Sequence, residues 1–230
     1  FRGAGRVLIL CHQFPDGDTL GSACALCRGL RQLGKRAAVR CSDPIGPKFA
    51  YLFRDLPDDA FEPDLVVTAD VADRSLLGEP LLSRWGARVG LSIDHHRASA
   101  PFAAHLLTDR SAAAACELVF SLFKQLGIPI GKQTADALYT GITTDTGCFR
   151  YANTTPRTHR IAAELMEDGA DSVEIDRAMF ETKSRARLAL ERDVLDAARF
   201  VSDGRIAVLR VTEAEIRKTG AAGKTAGLDG

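Results

Sequence analysis

Apolar positions come in short runs with helically spaced stretches between them. Val7-Leu8-Ile9-Leu10 is an unbroken apolar run, which reads as a buried strand. A polar loop rich in Gly, Pro and Asp follows it. Over residues 21–33 the spacing turns helical, and Gly34 stands where a C-cap is expected. Residues 37–41 read as a second strand, 65–69 as a third and 88–93 as a fourth, with a helical stretch over 76–85. This alternation predicts an α/β fold: a mostly parallel sheet with flanking helices.

After Ser111 the pattern becomes helical. Helices are predicted over 112–126, 133–142, 156–168 and 183–200, the first stopped by Gly127 and Pro129. A strand over 205–211 and a short helix over 213–219 follow. The expected organisation is a main domain at 1–182, a connecting helix and linker at 183–204, and the beginning of a further, C-terminal unit at 205–230. A Gly-rich tail and the lack of an initiator Met carry the expectation that the chain is cut from something longer.

Charge changes the picture by exclusion. Thirty Lys plus Arg balance thirty Asp plus Glu, which excludes a strongly basic, non-specific nucleic-acid binder. A small positive pocket for a short oligonucleotide remains compatible. No run of about 18 apolar residues is present, so no membrane span is expected. Six cysteines at irregular spacing fit a reducing cytoplasm better than a disulfide scaffold. Cys24 and Cys27 share an inward helical face and are expected to be inert packing residues.

The chemistry collects beyond the strands. His12 follows the first strand and leads into Asp16-Gly17-Asp18; Asp70 ends the third; Asp94-His95-His96 ends the fourth. In a parallel sheet these ends lie along one edge, where open α/β folds place their sites. Each piece alone has a plain explanation: a turn for 16–18, a helix N-cap for Asp70, a core and a surface residue for the histidine pair. Together they require several coincidences at one edge. Carboxylates so close cannot all ionise without positive charge, which divalent cations supply. Imidazole and carboxylate donors without thiolates suit Mn²⁺ or Mg²⁺. There are enough ligands for two ions about 3.5–4 Å apart.

The run from His12 to Ser22, with Asp70, Asp94-His95-His96 and the run from Gly141 to Arg150, resembles in order and combination the four motifs of the DHH phosphoesterase superfamily. The resemblance implies that His12, Asp16 and Asp70 hold one metal ion. Asp18, Asp70, His95 and Asp145 would hold a second, with Asp70 bridging. It implies that His96 contacts the scissile phosphate or protonates the leaving oxygen, and that Asp94 orients a histidine. Thr143, Thr144 and Arg150 are implied phosphate contacts, and Gly21 and Ser22 would open a helix whose amides favour anions. Two Mn²⁺ ions are the expected cofactors, with Mg²⁺ or Co²⁺ as the other candidates.

The segment from Thr108 to Glu117 is similar to the branch that degrades very short RNAs, 3′-phosphoadenosine 5′-phosphate (pAp) or cyclic dinucleotides, and Ser111 joins the implied substrate contacts. The implied reaction is in-line attack of a metal-bridging hydroxide, converting pApA-like substrates to nucleoside 5′-monophosphates and pAp to AMP. The loop from Arg97 to Phe102 departs from that branch, as does the absence of a Gly-Gly-His run. The alternatives are a manganese-dependent pyrophosphatase and a catalytically silent nucleotide binder. Expected partners are a short RNA or nucleotide and a second copy of the chain, with no membrane.

Overall fold

The structure is a computed structural model and describes residues 1, 3–96 and 101–220. The chain divides into two compact units, Phe1–Met179 and Phe180–Gly230.

The first unit is built on strands β1 (Arg6–Leu10), β2 (Arg36–Arg40), β3 (Leu65–Ala69), β4 (Val89–Asp94) and β5 (His105–Thr108). They form one parallel sheet in the order β2-β1-β3-β4-β5. The order reverses at β1, so β1 and β3 flank the switch point, where a crevice opens at the carboxyl ends. Alternate residues serve opposite faces. Val7 and Ile9, with Val67, Ala69 and Ile93, face the main core. Leu8, Leu10, Val66 and Val89 pack on the other side with Val71, Leu77, Leu81 and Trp85. Both faces of the central strands are therefore covered, which explains their continuous apolar runs. The edge strand β5 is exposed throughout and its four residues do not alternate, so the pattern gave no sign of it.

Helix α1 (Gly17–Gln32) lies in the main core and is buried from Gly17 to Leu30. It starts four residues earlier than the spacing predicts, because the Asp16 carboxylate accepts the amides of Asp18 and Thr19 and caps it. The stretch expected as one helix over 76–85 is a 3₁₀ turn, Arg74–Leu77, then a short helix α2 (Leu81–Trp85), with Gly78 at positive φ and Pro80 between them. Helix α3 (Ala115–Leu126) begins later than predicted, since residues 112–114 precede it as extended or turn backbone. Helix α4 (Lys132–Asp145) continues past the predicted end and so carries Asp145. Helices α5 (Pro156–Glu167) and α6 (Ser172–Asp176) complete the unit.

Helix α4 lies directly against α1. A Cβ on Gly21 would collide with the carbonyl oxygen of Ala137, a backbone atom that cannot rotate away. Gly21→Ala is therefore expected to destabilise the protein by ~1–3 kcal/mol as an overpacked contact. Urea unfolding with a wild-type midpoint would contradict this packing.

In the second unit, helix α7 (Arg185–Asp196) packs Leu190 and Val194 against Ile216 of helix α8 (Glu213–Thr219). The helix predicted over 183–200 is shorter, and Phe200 lies instead in strand β6 (Arg199–Val201), paired antiparallel with β7 (Ile206–Val208). Three positive-φ residues, Ser202, Asp203 and Gly204, turn the chain there. The tail beyond 220 and the departure at 97–100 lie outside the described residues.

Candidate metal centre and adjoining cleft

Asp70 stands just past β3 with φ +59°, a left-handed conformation that Asp tolerates better than bulky residues do. Its amide donates to the Ile93 carbonyl at 2.8 Å, fixing it beside β4. The buried carboxylate faces two histidines. Oδ2 is 3.8 Å from His12 Nε2, and Oδ1 is 3.5 Å from His95 Nε2. Asp16 lies 3.6 Å from His12 Nε2. Asp145, at the end of α4, lies 3.2 Å from His95 Nε2, and Asp18 lies 3.7 Å from it. The ligand atoms of His12, Asp16 and Asp70 form one compact group, those of Asp18, His95 and Asp145 another, and those of Asp70, His95 and His96 a third that links them.

Neighbouring groups fix the imidazoles. His12 Nδ1 is 2.7 Å from the Gln13 carbonyl and His95 Nδ1 is 3.2 Å from the Ala112 carbonyl. Both rings thus donate from Nδ1 and turn Nε2 towards the carboxylates, the arrangement metal-binding histidines need. His96 differs: its Nδ1 is 2.8 Å from Asp94 Oδ1, so Asp94 orients His96 rather than His95. Asp18 also has a structural task. Its two oxygens accept the amides of Ala115 and Cys116 at 2.6 and 3.0 Å, anchoring the start of α3.

This donor set fits divalent cations. Asp70 Oδ1 and His95 Nε2 are both buried without a hydrogen-bond partner among the described residues. Such atoms are costly unless something completes them. Hard carboxylate oxygens mixed with imidazole suit Mn²⁺, Mg²⁺ or a related ion.

Without cations, protons compensate for the crowding. Burial, then the charge of Asp70, raises Asp18; burial raises Asp70. Burial pulls His12 down, but the bond and charge of Asp16 outweigh it and raise the ring to about 9. Burial likewise opposes protonation of His95, yet Asp145 and Asp70 raise it to about 11. The metal-free centre is therefore protonated at pH 7, whereas bound ligands must be neutral imidazole and ionised carboxylate. Mn²⁺ binding is expected to release at least one proton per chain near pH 7, and affinity is expected to rise with pH. Calorimetry in buffers of different ionisation enthalpy reads this directly, and buffer-independent heats would contradict it.

Two of the predicted substrate contacts are fully buried and bonded to protein atoms. Ser22 is fully buried in the second turn of α1, and its hydroxyl donates to the Asp18 carbonyl at 2.6 Å. It does not open the helix, and the first amides are already accepted by Asp16. Thr143 is also fully buried and donates to Asp176 Oδ1 at 2.7 Å. The Thr144 hydroxyl donates along its own helix to the Thr140 carbonyl at 2.8 Å. Arg150 is exposed, and its Nε donates to the Gly147 carbonyl at 2.7 Å. Cys24 and Cys27 are buried thiols whose ionisation burial disfavours.

A cleft of about 250 Å³ adjoins the centre, lined by His95, His96, Arg110, Ser111, Ala112 and Asn153. Ser111 is where the sequence placed it, but its hydroxyl is bonded to Asp109 at 2.6 Å. Arg110 and Asn153 were not singled out from the sequence. Asn153 Nδ2 donates to the carbonyls of Ala113 and Asp145, both at 3.1 Å, tying the turn before α3 to the end of α4. A tertiary tie of this kind leaves no mark in periodicity.

Residues 6–142 match the family model described as DHH family, N-terminal domain, and the chain belongs to the DHH family. It is 37% identical over 195 residues to the bifunctional oligoribonuclease and PAP phosphatase NrnA of Thermus thermophilus, covering 80% of this chain and 57% of that protein. A probable manganese-dependent inorganic pyrophosphatase of Streptococcus mutans is 26% identical over 232 residues, covering 93% of this chain and 73% of that one. The crystal structure of an exopolyphosphatase-related protein from Bacteroides fragilis superposes with a TM-score of 0.86 at 25% identity, over 95% of this chain and 69% of that one. The chain thus spans little more than half the length of its Thermus relative.

Proposed function

We propose that this chain carries the hydrolytic centre of a two-metal phosphoesterase. Its substrates are short oligoribonucleotides or dinucleotides such as pApA, cleaved to nucleoside 5′-monophosphates, and pAp, cleaved to AMP. The observation that carries the reading is Asp70, a buried carboxylate with one oxygen towards His12 and the other towards His95. Membership of the DHH family and the activity in the Thermus relative's name support it.

His12, Asp16 and Asp70 would hold one ion, and Asp18, Asp70, His95 and Asp145 the other, with Mn²⁺ first among the candidates. Bound there, the ions would activate water and offset charge on phosphoryl oxygens. Asp94 holds His96 by its Nδ1, leaving Nε2 to meet a leaving oxygen. The bond from Asp94 keeps His96 protonated to higher pH than an isolated imidazole, despite the opposing effect of burial. A protonated His96 can donate to the departing alkoxide. Arg150, Thr144 and Ser111 remain candidate phosphate contacts; the buried Ser22 and Thr143 do not. The segment from 205 is read as the beginning of a substrate-binding domain. Assembly as a homodimer and residence in the cytoplasm belong to the same proposal. Among the described residues, no helix is long and apolar enough to cross a membrane.

The test is AMP release from pApA by the full-length protein in Mn²⁺. Release that stops with chelator and returns with Mn²⁺ is the expected result. No release from pApA or pAp would overturn the reading. Phosphate release from pyrophosphate alone would favour the pyrophosphatase alternative that the Streptococcus relative keeps open.

A further inference from the structure

Arg110 is an exposed cation on the cleft beside a carboxylate-rich centre. No hydrogen bond or ion pair engages its guanidinium among the described residues, and it is the one Arg or Lys among those lining the cleft. The backbone that presents it is firmly held. The Ser111 amide donates to Asp109 Oδ1 at 2.9 Å, and the Ala112 amide donates to the Asp109 carbonyl at 3.1 Å. Arg157 of α5 pairs with Asp109 Oδ2 at 2.5 Å. The bonds from Ser111, then from Arg157, hold Asp109 down at about 2, so this anchor stays ionised at every working pH. On the other side, the Ala112 carbonyl accepts from His95 Nδ1. Arg110 therefore rises from a turn fixed to the centre at one end and to α5 at the other.

Position decides which group Arg110 meets. The cleft shares His95 and His96 with the centre, but none of Asp16, Asp18, Asp70 and Asp145 lines it. The reacting phosphoryl group belongs among those carboxylates, where cations would offset its charge. Beyond His96, the cleft is therefore open to a part of the substrate next to the reacting group. A planar guanidinium with five donors and no internal acceptor is suited to a phosphate dianion, which it can grip with two parallel bonds.

We propose that Arg110 binds the second, non-reacting phosphate of the substrate, and so selects dinucleotides and nucleotides that carry a terminal phosphate over those that lack one. The proposal rests on the phosphoesterase reading above and adds to it the residue that sets substrate choice. The centre supplies hydrolysis; Arg110 supplies preference for a doubly phosphorylated molecule.

The experiment compares kcat/KM for pApA and ApA in full-length wild type, Arg110→Ala and Arg110→Lys, with Mn²⁺. In Arg110→Ala the preference for pApA over ApA is expected to fall ~10–100-fold, the scale of a lost charge-assisted pair. Arg110→Lys should recover part of it, since it keeps the charge and loses the fork. An unchanged preference, or equal losses on both dinucleotides, would overturn the proposal. Calorimetric binding of pAp gives a second arm that needs no turnover. Weakening of ~10-fold or more in Arg110→Ala supports the site, and equal affinity overturns it. If wild type cleaves neither dinucleotide, the hydrolytic reading fails while the binding arm still decides the role of Arg110. A urea midpoint unchanged in Arg110→Ala is expected from a side chain that makes no bond among the described residues.

Discussion

Asp70→Asn is expected to lower kcat by ~10³-fold or more, the scale of losing a preorganised electrostatic element that both halves of the centre share. The substitution keeps the shape of the side chain and removes its charge. Asn also tolerates the left-handed backbone at φ +59° that this position requires. The amide bond to the Ile93 carbonyl does not involve the side chain and should persist. Circular dichroism and urea unfolding should therefore report a native fold while Mn²⁺ stoichiometry falls. Near-normal turnover in this variant would sink the assignment of Asp70 as the shared ligand.

His96→Ala carries the second large effect. Its kcat is expected to fall ~10²–10⁴-fold, the usual worth of a positioned general acid, with Mn²⁺ stoichiometry retained. The pH profile distinguishes this from simple loss of packing. An acid must be protonated to act, and Asp94 raises the His96 pKa above its usual 6.5. Wild-type rate should thus hold above pH 6.5 and decline as pH rises through the raised value. In His96→Ala that alkaline limb should vanish. In Asp94→Asn it should move to lower pH, because the supporting charge is gone. A limb that stays in place in both variants would remove His96 from the reaction.

Much of the centre was legible because strand ends can be read from apolar runs. His12, Asp70 and Asp94-His95-His96 each follow such a run, and parallel strands bring those ends to one edge. Asp145 was not legible that way: it terminates a helix, and only the resemblance to a family pointed to it. The hydroxyls fared worst. Ser22 and Thr143 sit in motifs with the right chemistry, yet each is turned inward by helix phase and bonded to protein atoms. Sequence distinguishes residue type but not which side of a helix faces the crevice when both sides are packed, as in α1. The early start of α1 was hidden for a related reason. Asp16-Gly17-Asp18 has the composition of a turn, and it became a cap and first turn because the Asp16 carboxylate accepts the leading amides. Arg110 and Asn153 were missed because their importance lies in tertiary position, beside His95 and His96, and not in any local period.

The most direct test of the central claim is anomalous diffraction from crystals of the full-length protein grown with Mn²⁺. Two manganese peaks are predicted, one at His12, Asp16 and Asp70 and one at Asp18, His95 and Asp145, with Asp70 contacting both. The absence of any peak at this cluster, or manganese bound only away from Asp70, would contradict the account.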